Sequence, residues 1–264
     1  MKIAISGKGG VGKTTVAGML ARLFAAHGYD VIAIDADPDA NLASALGIRD
    51  ADKITPISEM RELIEERTGA KPGSFGGYFK MNPTVQDLPE KLSVRKDGIR
   101  LMVMGTVKRG GGGCVCPESV LLKALVTNLV VYRKELVLMD MEAGLEHLGR
   151  ATTQAVDKLI VVVEPGRRSI DTATHIRELA AGIGLKKIAI VGNKVRGEKD
   201  IAYLKEQLAG FEILGFVPYD EAIVEADLAN DAPFAKPEDF PAGLREVYDR
   251  LVGEAPAQGP ASVS

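Results

Sequence analysis

Residues 1–15 read MKIAISGKGGVGKTT, and this stretch decides the fold. The apolar run at 2–6 predicts a short strand, and a glycine-rich loop follows it. Residues 14–27 carry apolar side chains at helical spacing, and residues 31–34 form a second apolar run. Strand, loop, helix and strand in this order are typical of a βαβ unit. They predict a parallel sheet with right-handed crossovers.

The loop after the first strand fits the phosphate-loop pattern, with anchoring glycines at Gly7 and Gly12. Glycines let successive backbone N–H groups cradle a polyphosphate, and the next helix N-terminus adds a positive dipole. Lys13, also a predicted catalytic residue, would face the β- and γ-phosphates, and the Thr14 hydroxyl would bind Mg²⁺. The predicted nucleotide-binding residues here are Gly7, Lys8, Gly9, Gly10, Val11, Gly12, Lys13, Thr14 and Thr15.

Composition excludes several classes of protein. The chain has 264 residues, 46% of them hydrophobic and 26% charged, which is ordinary for a globular protein and too apolar for a wholly disordered chain. A net charge of −3 and the absence of Trp argue against nucleic acid as a partner. No apolar run approaches the roughly 20 residues that a membrane span needs. Two cysteines make no disulfide framework, which indicates a reducing compartment. From these observations together we expect a cytoplasmic protein without nucleic-acid or membrane partners.

The rest of the chain continues the α/β pattern. Apolar runs at 136–139, 159–163, 188–191 and 213–217 predict strands covered on both faces, with helices at 170–181, 201–208 and about 244–251. We therefore predict an α/β fold, a doubly wound, mostly parallel sheet flanked by helices. It would form a single domain over 1–253, and the Pro/Ala/Gly/Ser-rich tail 254–264 would be disordered.

Residues 50–113 are less regular and look like an insertion in this domain. A helix is predicted over 57–67. Apolar runs at 92–94 and 99–104 flank Lys96, Asp97 and Gly98, and Asp-Gly is a strong hairpin signal. We expect the insertion to add an antiparallel edge to the sheet. It leads into four glycines at 110–113, which would serve either as a linker or as a hinge.

Acidic residues follow two of the predicted strands, where ligands of open α/β sheets bind. Asp35 is predicted to belong to the nucleotide site. Asp37 has two interpretations that can hold together: a helix N-cap with Pro38 at the first helical position, and a catalytic carboxylate that orients the attacking water. Asp140 ends an apolar strand and is the expected carboxylate on the Mg²⁺ side. Gly144 would then lie near the γ-phosphate.

A third motif, V-G-N-K at 191–194, resembles the base-reading corner of phosphate-loop proteins. GTPases place an Asp three residues after the Asn, because a carboxylate accepts both guanine N–H donors. Here that position is Arg196, which favours ATP over GTP, because Asn193 can still meet the adenine edge with its one donor and one acceptor. Asn193 and Lys194 are therefore predicted nucleotide-binding residues. Pro218, at the end of the last predicted strand, is included among the nucleotide-binding residues.

The two cysteines, Cys114 and Cys116, form a C-x-C pair. In an extended segment both sulfurs point the same way. Cys116 precedes Pro117, a predicted helix start, where thiolate pKa values are lowered. Two thiolates half-fill a tetrahedral metal site, which two copies of the chain could complete. The alternative is a pair of buried small hydrophobic residues.

Taken together, these motifs resemble a known family. The K-G-G-V-G-K-T loop resembles the deviant phosphate loop of dimeric ATPases, in which the extra lysine, here the predicted catalytic residue Lys8, reaches the partner's nucleotide. The C-V-C-P-E segment, D-M-E-A-G-L-E-H-L-G-R at 140–150 and V-E-P-G-R-R-S at 163–169 resemble the CooC-type nickel-insertion ATPases of carbon monoxide dehydrogenase. The resemblance implies a fold similar to nitrogenase iron protein, ATP hydrolysis, a homodimer and Ni²⁺ or Zn²⁺ at the C-x-C. The client would be carbon monoxide dehydrogenase or acetyl-CoA synthase.

Two other functions stay open. One is an iron–sulfur carrier or reductase similar to nitrogenase iron protein, although such proteins use cysteines set well apart in the chain. The other is a nucleotide-switched positioning ATPase, although the predicted C-terminal helix lacks the basic face of a membrane anchor. Hydrogenase nickel GTPases are disfavoured by Arg196.

Overall fold

The computed structural model describes residues 1–73, 78–105, 116–129, 134–142 and 156–253. Cys114, Gly144, the glycines at 110–113 and the tail at 254–264 lie outside these residues. Within the described ranges, no helix is both long and apolar enough to span a membrane.

The described strands form one sheet, and its strand order places the first strand of the chain in the middle. The strands are β1 (Lys2–Gly7), β2 (Asp30–Ala36), β3 (Val94–Lys96), β4 (Ile99–Val103), β5 (Glu135–Met141), β6 (Lys158–Val163), β7 (Ile188–Val195) and β8 (Glu212–Pro218). Their order in the sheet is β3-β4-β2-β5-β1-β6-β7-β8. All neighbours are parallel except β3 and β4. The predicted mostly parallel sheet is confirmed.

Helices cover both faces of this sheet. They are α1 (Lys13–Ala26), α2 (Leu42–Ala45), α3 (Arg61–Thr68), α4 (Leu88–Leu92), α5 (Pro117–Asn128), α6 (Arg167–Ile183), α7 (Glu198–Gln207), α8 (Glu221–Leu228) and α9 (Ala242–Gly253). Alternate residues of β1 divide between two apolar clusters: Ile3 and Ile5 pack on one face with Phe24 of α1, and Ala4 packs on the other. Burial on both faces explains why the central strands are continuous apolar runs.

The helix predicted over 57–67 is interrupted. A 3₁₀ turn at Ile57–Glu59 precedes α3, and Met60 between them has non-helical backbone angles. The Ser58 N–H donates to the Met104 carbonyl at 3.0 Å. The first turn is therefore tied to the end of β4, and the prediction of one continuous helix is wrong.

The predicted hairpin is present, but its strands are shorter than expected. Asp97 and Gly98 both have positive φ, as the tight hairpin turn requires. Leu92 closes α4 and does not begin a strand, so β3 starts at Val94. β3 is the antiparallel edge strand, whereas β4 pairs in parallel with β2. β4 therefore pairs antiparallel with β3 on one side and parallel with β2 on the other.

Candidate nucleotide site

The phosphate loop lies where β1 ends at the centre of the sheet, and its glycines are required by geometry. Gly7 has φ +149°, and a Cβ there would lie 2.5 Å from the Val162 carbonyl oxygen. Gly12 has φ +89°, and a Cβ there would lie 2.4 Å from the Asn193 amide nitrogen. Both the backbone angle and the space exclude a side chain at Gly12. The loop can therefore turn tightly into α1.

α1 begins directly after this loop, at Lys13. The first backbone N–H groups of a helix have no intrahelical partner, and with the helix dipole they favour a bound anion. Lys13 is buried, 8% exposed, although it carries a charge. Thr14 follows it at the same end of the helix. A buried lysine beside a helix N-terminus is an arrangement that fits a polyphosphate.

Asp140 lies opposite this helix end, in β5. It is fully buried, and among the residues that the structure describes none makes a well-formed hydrogen bond to either of its carboxylate oxygens. Burial raises the pKa of Asp140 to about 7. The Thr14 hydroxyl, which is close enough to interact with the carboxylate, and the Lys13 ammonium lower this pKa, whereas the carboxylates of Asp35 and Asp37 raise it. A buried carboxylate without a firm partner, close to a threonine hydroxyl, is a donor set that suits Mg²⁺.

Asp35, the neighbour of Asp140 across β2 and β5, holds the backbone that follows it. Its carboxylate accepts from the N–H groups of Leu42 at 2.8 Å and Asp37 at 3.2 Å. Burial raises its pKa to about 6, although these two backbone bonds oppose the shift. Asp35 therefore anchors the loop between β2 and α2. Its assignment to the nucleotide-binding residues stays a prediction.

Asp37 lies on this anchored loop and is not a helix cap. α2 begins at Leu42, so the predicted N-cap at Asp37 with Pro38 in the first turn is wrong. The Asp37 carboxylate instead accepts from the Asp39 N–H at 3.0 Å. The Asp35 carboxylate accepts from the N–H of Leu42, the first residue of α2. The catalytic interpretation of Asp37 stays a prediction.

The corner at Asn193 and Lys194 braces the phosphate loop from β7. The buried Asn193 side-chain amide donates to the Val11 carbonyl at 2.8 Å. The Lys194 ammonium donates to the Gly10 carbonyl at 2.6 Å. Lys194 itself has a left-handed backbone, φ 57°. Both side chains thus hold loop carbonyls, and their predicted contact with the base remains a prediction.

Lys8 and Glu164 lie beside this corner. The Lys8 ammonium is 3.7 Å from the Glu164 carboxylate, and Lys194 is 3.9 Å from its other oxygen. Glu164 is a site residue that was not predicted from the sequence. The signal was present, because Glu164 directly follows the apolar run of β6, as Asp35 and Asp140 end theirs.

Pro218 ends β8, at the carboxyl ends of the parallel strands where the phosphate loop also lies. It pairs with Val195, two residues after Asn193. The Arg196 guanidinium lies over the Tyr219 ring, 4.8 Å from its centroid. The structure thus brings Pro218 close in the sheet to the residues that brace the loop.

Cys116 is the N-cap residue of α5, and the predicted helix start at Pro117 is confirmed. The expected low pKa of its thiol is wrong. Burial raises the pKa of Cys116 and the Glu118 carboxylate raises it further, and together they outweigh the Ser119 N–H at the helix start, which lowers it. The described residues contain no group of three or more His, Cys, Asp or Glu side chains that could hold a metal.

A phosphate loop that joins a strand to a helix, beside a buried carboxylate on a neighbouring strand, defines a P-loop nucleotide-binding protein. Residues 2–234 match the family described as the CobQ/CobB/MinD/ParA nucleotide binding domain. The structure is similar to the MinD cell division protein of Aquifex aeolicus, with a TM-score of 0.65 and 23% identity over 98% of each chain. At that identity the similarity concerns the fold.

Sequence relatives are more specific. The chain is 50% identical over 232 residues to the carbon monoxide dehydrogenase accessory protein CooC of Rhodospirillum rubrum, which covers 87% of this chain and 88% of that protein. An uncharacterized ATP-binding protein of Methanocaldococcus jannaschii is also 50% identical, over 86% of this chain and 88% of its own length. The chain therefore belongs to the CobQ/CobB/MinD/ParA family as a CooC-type, ATP-binding P-loop ATPase. ATP, ADP and Mg²⁺ are the ligands of this class.

Proposed function

We propose that this ATPase helps to insert nickel into the active-site cluster of carbon monoxide dehydrogenase, or of the related acetyl-CoA synthase. The observation that carries the proposal is the 50% identity to CooC, an accessory protein of carbon monoxide dehydrogenase, over 232 residues. Nickel is the cargo in this proposal, and ATP hydrolysis drives its delivery.

In the proposed hydrolysis the backbone N–H groups of the phosphate loop bind the β- and γ-phosphates, with Lys13 neutralising their charge. The Thr14 hydroxyl and the Asp140 carboxylate would hold Mg²⁺. When bound, this ion neutralises charge on the phosphate oxygens. Asp37 would accept a hydrogen bond from the attacking water and orient it. Positioning and charge neutralisation are the main contributions that this reaction needs.

We propose further that two copies of the chain act together. Lys8 is not needed to form the loop, since ordinary phosphate loops have no required lysine at that position. The resemblance to deviant-loop ATPases supports a role for Lys8 at the nucleotide of a second subunit. ATP would then favour a homodimer.

The metal proposal rests on the C-x-C pair. Cys114 and Cys116 supply two thiolates per chain, and a closed tetrahedral site needs four, so two subunits would share one Ni²⁺ or Zn²⁺. Because the pKa of Cys116 is raised, its thiol has to lose a proton when metal binds. Metal binding should therefore strengthen as pH rises towards that pKa.

The test is metal content measured by elemental analysis together with oligomer mass by light scattering. We expect one ion per two chains in the wild type. The Cys114→Ser/Cys116→Ser variant should lose the ion and the ability to activate nickel-depleted carbon monoxide dehydrogenase, while it still binds ATP. One ion per chain, or unchanged metal content in the double variant, would refute the shared site. Normal client activation by the double variant would refute the nickel role.

A further inference from the structure

Glu164 has a position that the proposed function does not use. It follows β6, and its two carboxylate oxygens face two lysines of the site. One oxygen lies 3.7 Å from the Lys8 ammonium and the other 3.9 Å from the Lys194 ammonium. The Glu164 N–H donates to the buried Ser169 hydroxyl at 3.2 Å, which fixes the backbone at the end of the strand.

The two lysines depend on Glu164 to different degrees. Lys194 also donates to the Gly10 carbonyl at 2.6 Å, so it stays in place without the carboxylate. For Lys8, Glu164 is the acidic partner found among the residues that the structure describes. The Lys8 side chain is 37% exposed. Lys8 is therefore restrained by one half-exposed ion pair and can leave it.

We propose that Glu164 is a positioning residue that keeps Lys8 on its own subunit until the nucleotide of a second copy takes it over. This inference rests on the proposed cross-subunit role of Lys8. A bound triphosphate carries more negative charge than one carboxylate, so it can outcompete Glu164. When Lys8 leaves, Lys194 remains beside Glu164, and the carboxylate is not left without a cation.

The expected size of the effect follows from the exposure of the pair. Ion pairs of this kind shift an equilibrium about 1.4- to 5-fold. Two Lys8 side chains move in each dimer, so removal of the Glu164 charge should lower the protein concentration at half-dimerisation by about 2- to 25-fold. An improvement of this kind is not expected from a residue with a merely structural role.

The experiment measures dimer mass against protein concentration with Mg²⁺ and a slowly hydrolysed ATP analogue. Glu164→Gln keeps the size and the backbone bond of Glu164 and removes its charge. Glu178→Gln, on the exposed surface of α6, is the matched control. We expect Glu164→Gln to dimerise at lower concentration, Glu178→Gln to match the wild type and Lys8→Ala to stay monomeric.

A second measurement reports the restraint itself in the nucleotide-free protein. Competitive acetylation followed by mass spectrometry compares Lys8 with the exposed Lys199. In the wild type, added salt should screen the ion pair and speed the acetylation of Lys8 relative to Lys199. In Glu164→Gln this salt effect should disappear. The wild-type arm applies even if the variant folds poorly.

The outcomes separate the two proposals. Unchanged or weaker dimerisation of Glu164→Gln, with Lys8→Ala monomeric, would overturn the role of Glu164 alone. A Lys8 reactivity that is indifferent to salt would do the same. A Lys8→Ala variant that still dimerises with ATP would overturn the cross-subunit role of Lys8. It would also overturn the proposal that Lys8 moves from Glu164 to the nucleotide of the second copy.

Discussion

Asp140→Asn should stabilise the nucleotide-free protein at alkaline pH while it abolishes ATP hydrolysis. Burial raises the pKa of Asp140 from 3.8 to about 7, so the folded state disfavours the ionised carboxylate. Each tenfold difference in proton affinity is worth about 1.4 kcal/mol. Above pH 7 the buried charge therefore costs the folded state about 4 kcal/mol. The amide resembles the protonated carboxyl but brings an additional N–H donor that needs a partner, which costs about 1–3 kcal/mol and leaves a net gain of about 1–3 kcal/mol.

The sign of the pH dependence follows from the raised pKa. Below pH 3.8 the carboxyl is protonated in both folded and unfolded chains and contributes no difference. Between pH 3.8 and about 7 the folded chain holds a proton that the unfolded chain lacks, so its stability rises as pH falls. The advantage of Asp140→Asn should be complete at pH 8 and shrink below pH 7.

The assay is thermal unfolding in EDTA at pH 8 and pH 5.5, without nucleotide. For a domain of this size about 1–3 kcal/mol corresponds to a rise in Tm of about 2–10 °C at pH 8. Asp171→Asn, an exposed position on α6, is the control and should leave Tm unchanged at both pH values. A lower Tm for Asp140→Asn at pH 8, or a gain that is equal at both pH values, would refute the reasoning.

Three further predictions concern the nucleotide site. Lys13→Ala should abolish ATP hydrolysis and strongly weaken Mg-ATP binding, because it removes the buried charge at the phosphates; calorimetry and phosphate release check this, and wild-type turnover would contradict it. Asp37→Asn should bind ATP nearly normally but hydrolyse it at least about tenfold slower, and single-turnover rates within about twofold of wild type would exclude the catalytic role. Gly12→Ala should lose about 1–3 kcal/mol of stability and most ATP binding, because residue 12 has a left-handed backbone and its new Cβ would meet Asn193. Chemical denaturation and nucleotide titration test this. Wild-type values for both would show that the loop tolerates a side chain.

The sheet and the phosphate loop could be predicted because their signals are local. The apolar runs are continuous because both faces of the strands are covered. The loop glycines stand where the backbone turns and where no side chain fits. α8 was not predicted, although five of its eight residues are apolar; none of them is fully buried, so packing against the core does not set this helix.

The errors arose where a distant or competing contact decided the geometry. Asp37 has the local pattern of a helix cap, but α2 begins at Leu42, whose N–H donates to the Asp35 carboxylate. Cys116 has the helix position that lowers a thiol pKa, but burial and Glu118 raise it. The bond between Asn193 and Val11 joins residues 182 apart in the chain. Sequence spacing carries no information about such a bond.

The central place of β1 also determines when the site can form during synthesis. The first strand pairs with β5 and β6, through contacts such as Lys2 with Val137 and Ile3 with Lys158. Ribosomes add about 5–20 residues per second, so β1 leaves the exit tunnel on the order of ten seconds before its partners are made. The phosphate loop therefore waits without its neighbouring strands, and its brace at Asn193 arrives later still. ATP can assist only the last stage of folding, after most of the chain has already emerged.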